Sequence, residues 1–184
     1  MKELDDKHKF FLQAFMWKKI CGNEEVWNLF RKCHRLVNDE SGESETTNNE
    51  DLVQFIKEIN NALKPLNMAI KSLRDELSTE MYYILVNENN NNVSRLLPDY
   101  KVQELEVLKC MKDGYYFFST RAIAELHYFF KENYSENIST CYLCKNIVFQ
   151  GPVCQNCDIK LHNYCMKRSG IKMCPSCRSD FNAH

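Results

Sequence analysis

CYLCKNIVFQGPVCQNCDIKLHNYCMKRSGIKMCPSC, residues 141 to 177, holds seven of the chain's ten cysteines and one histidine. In order they are Cys141, Cys144, Cys154, Cys157, His162, Cys165, Cys174 and Cys177: three Cys-x-x-Cys pairs and one His-x-x-Cys pair. Two cysteines separated by two residues turn a tight knuckle that brings both sulfurs to about 2.3 Å from one Zn²⁺, and four ligands close a structural tetrahedron. Eight ligands suit two zinc ions. A segment this short and this poor in apolar residues cannot fold on hydrophobic burial alone, so metal binding must supply most of its folding free energy. The spacing admits two pairings. Consecutive pairs could share an ion, or the pairs interleave, with Cys141, Cys144, His162 and Cys165 on one zinc and Cys154, Cys157, Cys174 and Cys177 on the other. Only four residues separate Cys157 from His162, which makes those neighbours awkward partners on one ion and favours the interleaved cross-brace.

The competing reading of so many cysteines is a disulfide cluster. The N-terminus, MKELDDKHKFF, has no long apolar stretch of the secretory kind, so an oxidising compartment is not expected and paired knuckles read as zinc. A catalytic zinc is disfavoured as well. All eight ligands are used, no open position remains for water, and no Glu stands beside His162 to act as a general base.

Outside this stretch the 184-residue chain has room for one ordinary domain or two small ones. Hydrophobic residues make up 44%, enough for a core, and no apolar run approaches the roughly 18 residues of a membrane span. The net charge of −1 is unevenly spread. Residues 1–100 carry 13 Lys and Arg against 17 Asp and Glu, residues 101–140 carry 5 against 6, and residues 141–184 carry 6 against 2. The acidic first part is a poor DNA surface on charge alone.

Periodicity predicts a helix over 7–20 with Phe11, Ala14 and Phe15 on one face, stopped at Cys21-Gly22-Asn23. A second helix is expected over 24–37, with two acids at its start and a stripe of Val26, Phe30, Cys33 and Val37. NDESGESETTNNED, residues 38–51, is polar and acidic and reads as a flexible loop. A third helix over 50–64, capped by Asn48 or Asn49, turns Leu52, Phe55, Ile56, Ile59 and Leu63 inward and ends at Pro65. Strands follow at 66–73 and 81–86, joined by a charged loop at 74–80. Three helices and then a hairpin is the order of a winged helix; a generic small α+β domain is the alternative.

The Asn run at 89–92 reads as a turn and linker. A helix is expected over 101–111, a strand at 115–118, and a last helix, RAIAELHYFFKENY, capped by Ser119 or Thr120 with Ile123, Leu126 and Phe130 on one side. Residues 100–140 are too few for a core of their own, so they are expected to pack on the first domain or on a partner. Cys21, Cys33 and Cys110 read as small core hydrophobes. His8, His34, His127 and His184 lack ligand-spaced neighbours.

FIKEINNALKPLNMAIKS, YYILVNENNNNVS and STRAIAELHYFFKENY running into CYLCKNIVFQGPVCQNCDIKLHNYC together resemble the non-structural maintenance of chromosomes element 1 homologs, the RING-bearing subunits of the SMC 5/6 complex. The similarity spans nearly the whole chain, and QGPVCQNC with KLHNYC is its most specific part. The resemblance implies an α+β chain of two winged helices and a variant RING. It also implies binding to a MAGE-homology subunit alongside a kleisin, and work in DNA repair in the nucleus. DNA is then met only through the complex, and no membrane is involved. The second winged helix looks shortened, since 101–111 runs almost directly into KDGYYFF. The expected division is a winged-helix domain over 1–93, a shortened second unit over 94–138, and a two-zinc cross-brace over 139–184.

A RING does no covalent chemistry; it holds a ubiquitin-charged conjugating enzyme in reactive geometry. RING ligases commonly carry an aliphatic residue before the second cysteine, a proline between the last two, and a basic residue after the eighth ligand. This chain has Leu143, Pro175 and Arg178 there. Leu143 and Pro175 would form the apolar contact, and Arg178, with its fixed fork of donors, would bridge enzyme and ubiquitin. Two other readings remain open. The order of four cysteines, a histidine and three cysteines also fits PHD readers of histone peptides, although Lys172 stands where they carry tryptophan and the only tryptophans are the distant Trp17 and Trp27. Alternatively the module is purely structural, within an adaptor.

Overall fold

The computed structural model describes residues 4–37, 49–88, 108–110 and 116–182. They form two compact units, and the turn 74–80 belongs to the second although the strands flanking it lie largely in the first.

The first unit is a winged helix. Helix α1 (Asp6–Lys18) starts at Asp5, whose carboxylate accepts the His8 N–H at 3.2 Å, and ends where Lys19 turns left-handed at φ 64°. The expected helix thus stops short of residue 20. Its continuation, Ile20–Gly22, is a three-residue strand β1 that pairs antiparallel with β3 (Met81–Asn87), Cys21 opposite Tyr83. Three residues carry no periodic signal, and tertiary pairing decides the matter. Helix α2 (Asn23–Val37) and helix α3 (Asn49–Leu63) follow. The third helix starts one residue before the expected 50, at Asn49, which was read as a possible cap, while 38–48 lie outside the described residues.

Pro65 sits in a single 3-10 turn, Lys64–Leu66, and Asn67 closes it in the left-handed region. Strand β2 (Met68–Arg74) therefore begins later than expected. The sheet order β1-β3-β2 places β3 centrally. Asn60 on α3 holds the side of β2 that faces away from β3: its Nδ2 donates to the Ile70 carbonyl at 3.0 Å, and the Ile70 N–H donates to its Oδ1 at 2.8 Å.

The apolar stripes meet as their spacing demands. Phe11 and Phe15, then Val26, Phe30 and Cys33, then Leu52, Phe55, Ile56, Ile59 and Leu63 are buried together with Ile70. Phe55 meets Phe11 and Phe30 edge-on, with ring centroids 5.2 and 5.0 Å away, a geometry that aligns ring edges with ring faces. Cys21 and Cys33 are buried, and burial pushes both thiols above their ordinary range, as befits small core residues.

In the second unit β4 (Leu108–Cys110) pairs antiparallel with β5 (Tyr116–Phe118). The helix expected over 101–111 is corrected at 108–110, where pairing with β5 overrides helix propensity; residues 101–107 and 111 lie outside the described residues, as does the Asn run. Ser119 caps α4 (Thr120–Glu125) by accepting the Ala122 N–H at 3.1 Å. The single last helix is in fact two: the backbone leaves helical geometry at Leu126, and α5 (His127–Asn133) follows. Ala122, Leu126 and Phe130 pack on Ile147 with Phe118, Phe129, Ile138 and Phe149 around them. Phe118, Phe130 and Phe149 form a triangle with centroids 4.9 to 5.1 Å apart. This stretch, expected to lean on the first domain or a partner, buries its apolar side against the zinc-ligand segment. Among the described residues no helix is long and apolar enough to cross a membrane.

Two outcomes follow from the first unit. Phe30→Ala is expected to lower its unfolding free energy by about 3–5 kcal/mol, read from denaturant titration of helical circular dichroism. At Asp5, partial burial opposes ionisation, but hydrogen bonds from the His8 N–H and ring outweigh it and hold the carboxyl below its ordinary 3.8. That cap contributes fully above 3.8 and is lost as pH falls through the lower folded value. The gap between wild type and Asp5→Ala should therefore be about 1 kcal/mol at neutral pH and close in acid.

Candidate metal centre

The same backbone device occurs three times. In each Cys-x-x-Cys pair the first cysteine's N–H donates to the carbonyl five residues on: Cys141 to Asn146, Cys154 to Ile159 and Cys174 to Ser179, each at 2.8 Å. The residue after the second cysteine is left-handed each time, Lys145 at φ 61°, Asp158 at 56° and Arg178 at 61°. This turn aims both sulfurs to one side. The fourth pair uses a helix instead. His162 is the N-terminal boundary of α6 (Asn163–Ser169), Cys165 lies in its first turn, and Gly170 ends it left-handed at φ 69°.

Two clusters result: Cys141, Cys144, His162 and Cys165, and Cys154, Cys157, Cys174 and Cys177, with the ligand atoms of each within 4.8 Å of one another. This is the interleaved pairing. In the first, His162 Nδ1 lies 3.3 Å from Cys144 Sγ and 3.9 Å from Cys165 Sγ. In the second, Cys154 and Cys177 are 3.3 Å apart, Cys157 and Cys174 3.4 Å, and Cys157 and Cys177 3.5 Å. Sulfurs at about 2.3 Å from a tetrahedral zinc stand about 3.8 Å apart, so both cages fit the ion with little adjustment.

The electrostatics point the same way. Burial opposes ionisation of Cys141, but the N–H groups of Cys144, His162 and Leu143 outweigh it and hold the thiol down to about 6. The Ser179 hydroxyl and N–H draw Cys177 down to about 6. Cys165 is instead pushed up to about 12, by burial and then by the neighbouring Cys144 and Cys141. Sulfurs this crowded cannot all carry charge unless a cation neutralises them. Burial opposes a charged His162 too, yet the Glu76 carboxylate and the adjacent thiols raise it to about 9. The donor set is built for a soft cation with four closed positions, and the chain carries two structural zinc sites.

Gly151 brings the halves together. Its φ is 153°, and a Cβ there would overlap the Leu161 carbonyl. The Leu161 N–H donates to the Pro152 carbonyl at 3.1 Å. A small cluster of Cys141, Val148, Leu161 and Cys165 fills the interior.

Of the residues read as enzyme contacts, Pro175 and Arg178 are exposed and Leu143 is half-buried against that cluster. The sequence reading missed Glu76, a buried side chain of the 74–80 turn whose Oε1 is 3.3 Å from His162 Nε2, and it gave Gly151 no role. The remaining histidines lie elsewhere: His8 stacks on Phe55 with centroids 4.1 Å apart and binds Asp5, His34 tilts on Phe30, and His127 meets Tyr128 edge-on. His184 and the Cys110 side chain lie outside the described residues.

Comparison with known proteins matches two stretches of the chain to families. Residues 8–111 match the family described as Nse1 non-SMC component of SMC5-6 complex, and residues 141–177 match a RING-like domain. The non-structural maintenance of chromosomes element 1 of Schizosaccharomyces pombe is 26% identical over 226 residues, covering 96% of this chain and 92% of that protein. The homolog from Xenopus laevis is 24% identical, covering 97% and 83%. A solved chain of an Nse1-Nse3-Nse4 complex superposes with a TM-score of 0.79 at 23% identity, covering both chains fully.

Stripping the zinc with a strong chelator should collapse the amide resonances of residues 139–182 while those of α1 to α3 persist. Gly151→Ala should make this loss occur at lower chelator concentration, because the Leu161 backbone has to retreat.

Proposed function

The chain belongs to the Nse1 family, the non-SMC component of the SMC5-6 complex, and on that premise we propose that its RING-like module is a ubiquitin-transferase module. The organisation we infer is a winged-helix domain over 1–93, a shortened second unit over 94–138 and the zinc module over 139–184. Its partners are the MAGE-homology subunit and the kleisin that the family resemblance implies, and the similar solved chain, from an Nse1-Nse3-Nse4 complex, supports a three-subunit assembly. It works in DNA repair in the nucleus, and DNA is reached only through the assembly.

One observation carries the reading: an exposed proline and an exposed arginine share the third knuckle, flanking the last ligands of a closed zinc cage. Bound zinc supplies rigid cross-links and no reactive position. The chain's own work is therefore positioning. Leu143 and Pro175 offer a shallow apolar contact to the conjugating enzyme, and Arg178, on a left-handed residue fixed by its N–H to the Cys174 carbonyl at 2.9 Å, reaches outward from a rigid base. A guanidinium so held can bridge two acceptors with little entropy loss. The methyl-lysine reader is less well supported, because Trp27 packs edge-on against Phe30 at 5.8 Å within the first unit's core and Lys172 is exposed.

The test is single-turnover discharge of ubiquitin from charged conjugating enzymes, by the full chain with its MAGE-homology partner. Pro175→Ala and Arg178→Ala are expected to slow discharge about tenfold or more, the order a positioned contact contributes. Lys145→Ala occupies the equivalent left-handed position on the first knuckle and should leave the rate unchanged. A zinc-loaded complex that accelerates no enzyme would reduce the module to a scaffold.

A further inference from the structure

The turn 75–80 buries two carboxylates, Asp75 and Glu76, each 7% exposed. That of Asp75 serves the turn: Oδ1 accepts the Leu77 and Ser78 N–H groups at 3.0 and 2.8 Å, and Oδ2 accepts the Thr120 hydroxyl at 2.6 Å. The turn is closed further by the Asp75 N–H on the Glu80 carbonyl at 2.8 Å. Glu76 contributes nothing of this kind. Its carboxylate is aimed at the zinc-ligand segment, where Oε1 accepts the Phe149 N–H at 3.0 Å and Oε2 the Gln150 N–H at 2.8 Å. Oε1 also stands 3.3 Å from His162 Nε2, and the Asn163 side chain donates to the Glu76 carbonyl at 3.5 Å.

His162 faces its sulfur partners with Nδ1. To ligate through Nδ1 the neutral ring must keep its proton on Nε2, and that proton needs an acceptor. Two are present: the Ile147 carbonyl at 2.9 Å and, beyond it, the Glu76 carboxylate. The carbonyl fixes the tautomer by distance. The carboxylate adds a negative charge, and it holds the loop whose backbone carries the carbonyl. A buried carboxylate is costly unless such donors surround it, and its placement is explained by what it faces.

We propose that Glu76 is the outer-shell partner of the three-cysteine, one-histidine site, orienting His162 through its Nε2 side, so that a residue 65 positions before the first ligand sets how tightly that site holds zinc. The four-cysteine site has no imidazole to orient and is indifferent to it. The inference rests on the zinc sites and is independent of any transfer activity.

The test uses the full chain with both sites loaded. Zinc release is followed against graded chelator, and Co²⁺ substitution separates the two sites, since mixed sulfur–nitrogen and all-sulfur cobalt differ in their visible bands. Glu76→Gln, which keeps shape and removes charge, is expected to weaken the histidine-bearing site about 10–100-fold and leave the other unchanged. Glu76→Asp, which keeps the charge, should fall between. In a His162→Cys background, which retains four ligands, Glu76→Gln should add little. Retention of both ions by Glu76→Gln at wild-type strength would overturn the proposal. An equal loss from Glu76→Gln whether or not His162→Cys is present would overturn it as well, by showing that Glu76 acts only through the Phe149–Gln150 loop.

Discussion

Four ligands must converge on each ion, and they are drawn from pairs that alternate along the chain. The first ion ties 141–144 to 162–165, and the second ties 154–157 to 174–177. Each closed loop therefore contains half of the other site. The sulfur cages replace what a core of this size cannot provide. The three knuckles repeat one backbone solution, and the helical fourth breaks the repeat to present an imidazole, which is harder to aim than a thiol and is surrounded by more apparatus: the Ile147 carbonyl, the Glu76 carboxylate and the Tyr164 ring stacked on it at 4.6 Å.

That rigidity has a functional sense. A module with closed metal sites offers no Lewis acid, so whatever it accelerates must come from surfaces it holds still. The exposed side chains at the knuckle tips move with the backbone of the cages, and a left-handed residue pinned beside its ligands has almost no freedom to drift. The aromatic triangle of Phe118, Phe130 and Phe149 extends this stiffness into β5 and α5.

Much of this was readable from the residues alone, for identifiable reasons. Knuckle spacing reflects backbone geometry directly, so the eight ligands and their interleaving could be inferred. The stripes of α2 and α3 are strong, and Val26, Phe30, Cys33, Leu52, Phe55, Ile56, Ile59 and Leu63 are all buried. Two short elements were not readable: β1 and β4, three residues each, exist because a partner strand lies beside them. The break at Leu126 leaves no mark in RAIAELHYFFKENY, where Ile123, Leu126 and Phe130 keep helical spacing across it. Glu76 was hidden most completely. It stands among Arg74, Asp75 and Glu80, where a solvated loop is the natural reading, and its partners Phe149 and Gln150 are 73 and 74 positions away. No local pattern can report a burial created at that distance.

The amide of Asn60 carries one more consequence. Among the described residues β2 is an edge strand of its sheet, and an edge strand invites a further strand, whether from a second copy of the chain or from a misfolded neighbour. At Ile70 both outward-facing backbone groups are already taken by that amide. A single side chain from α3 thus imitates one residue of a fourth strand, and an incoming chain must displace the helix that carries Phe55 and Ile59 before it can zip along the edge. The protection against self-association is in this way tied to the integrity of the core itself.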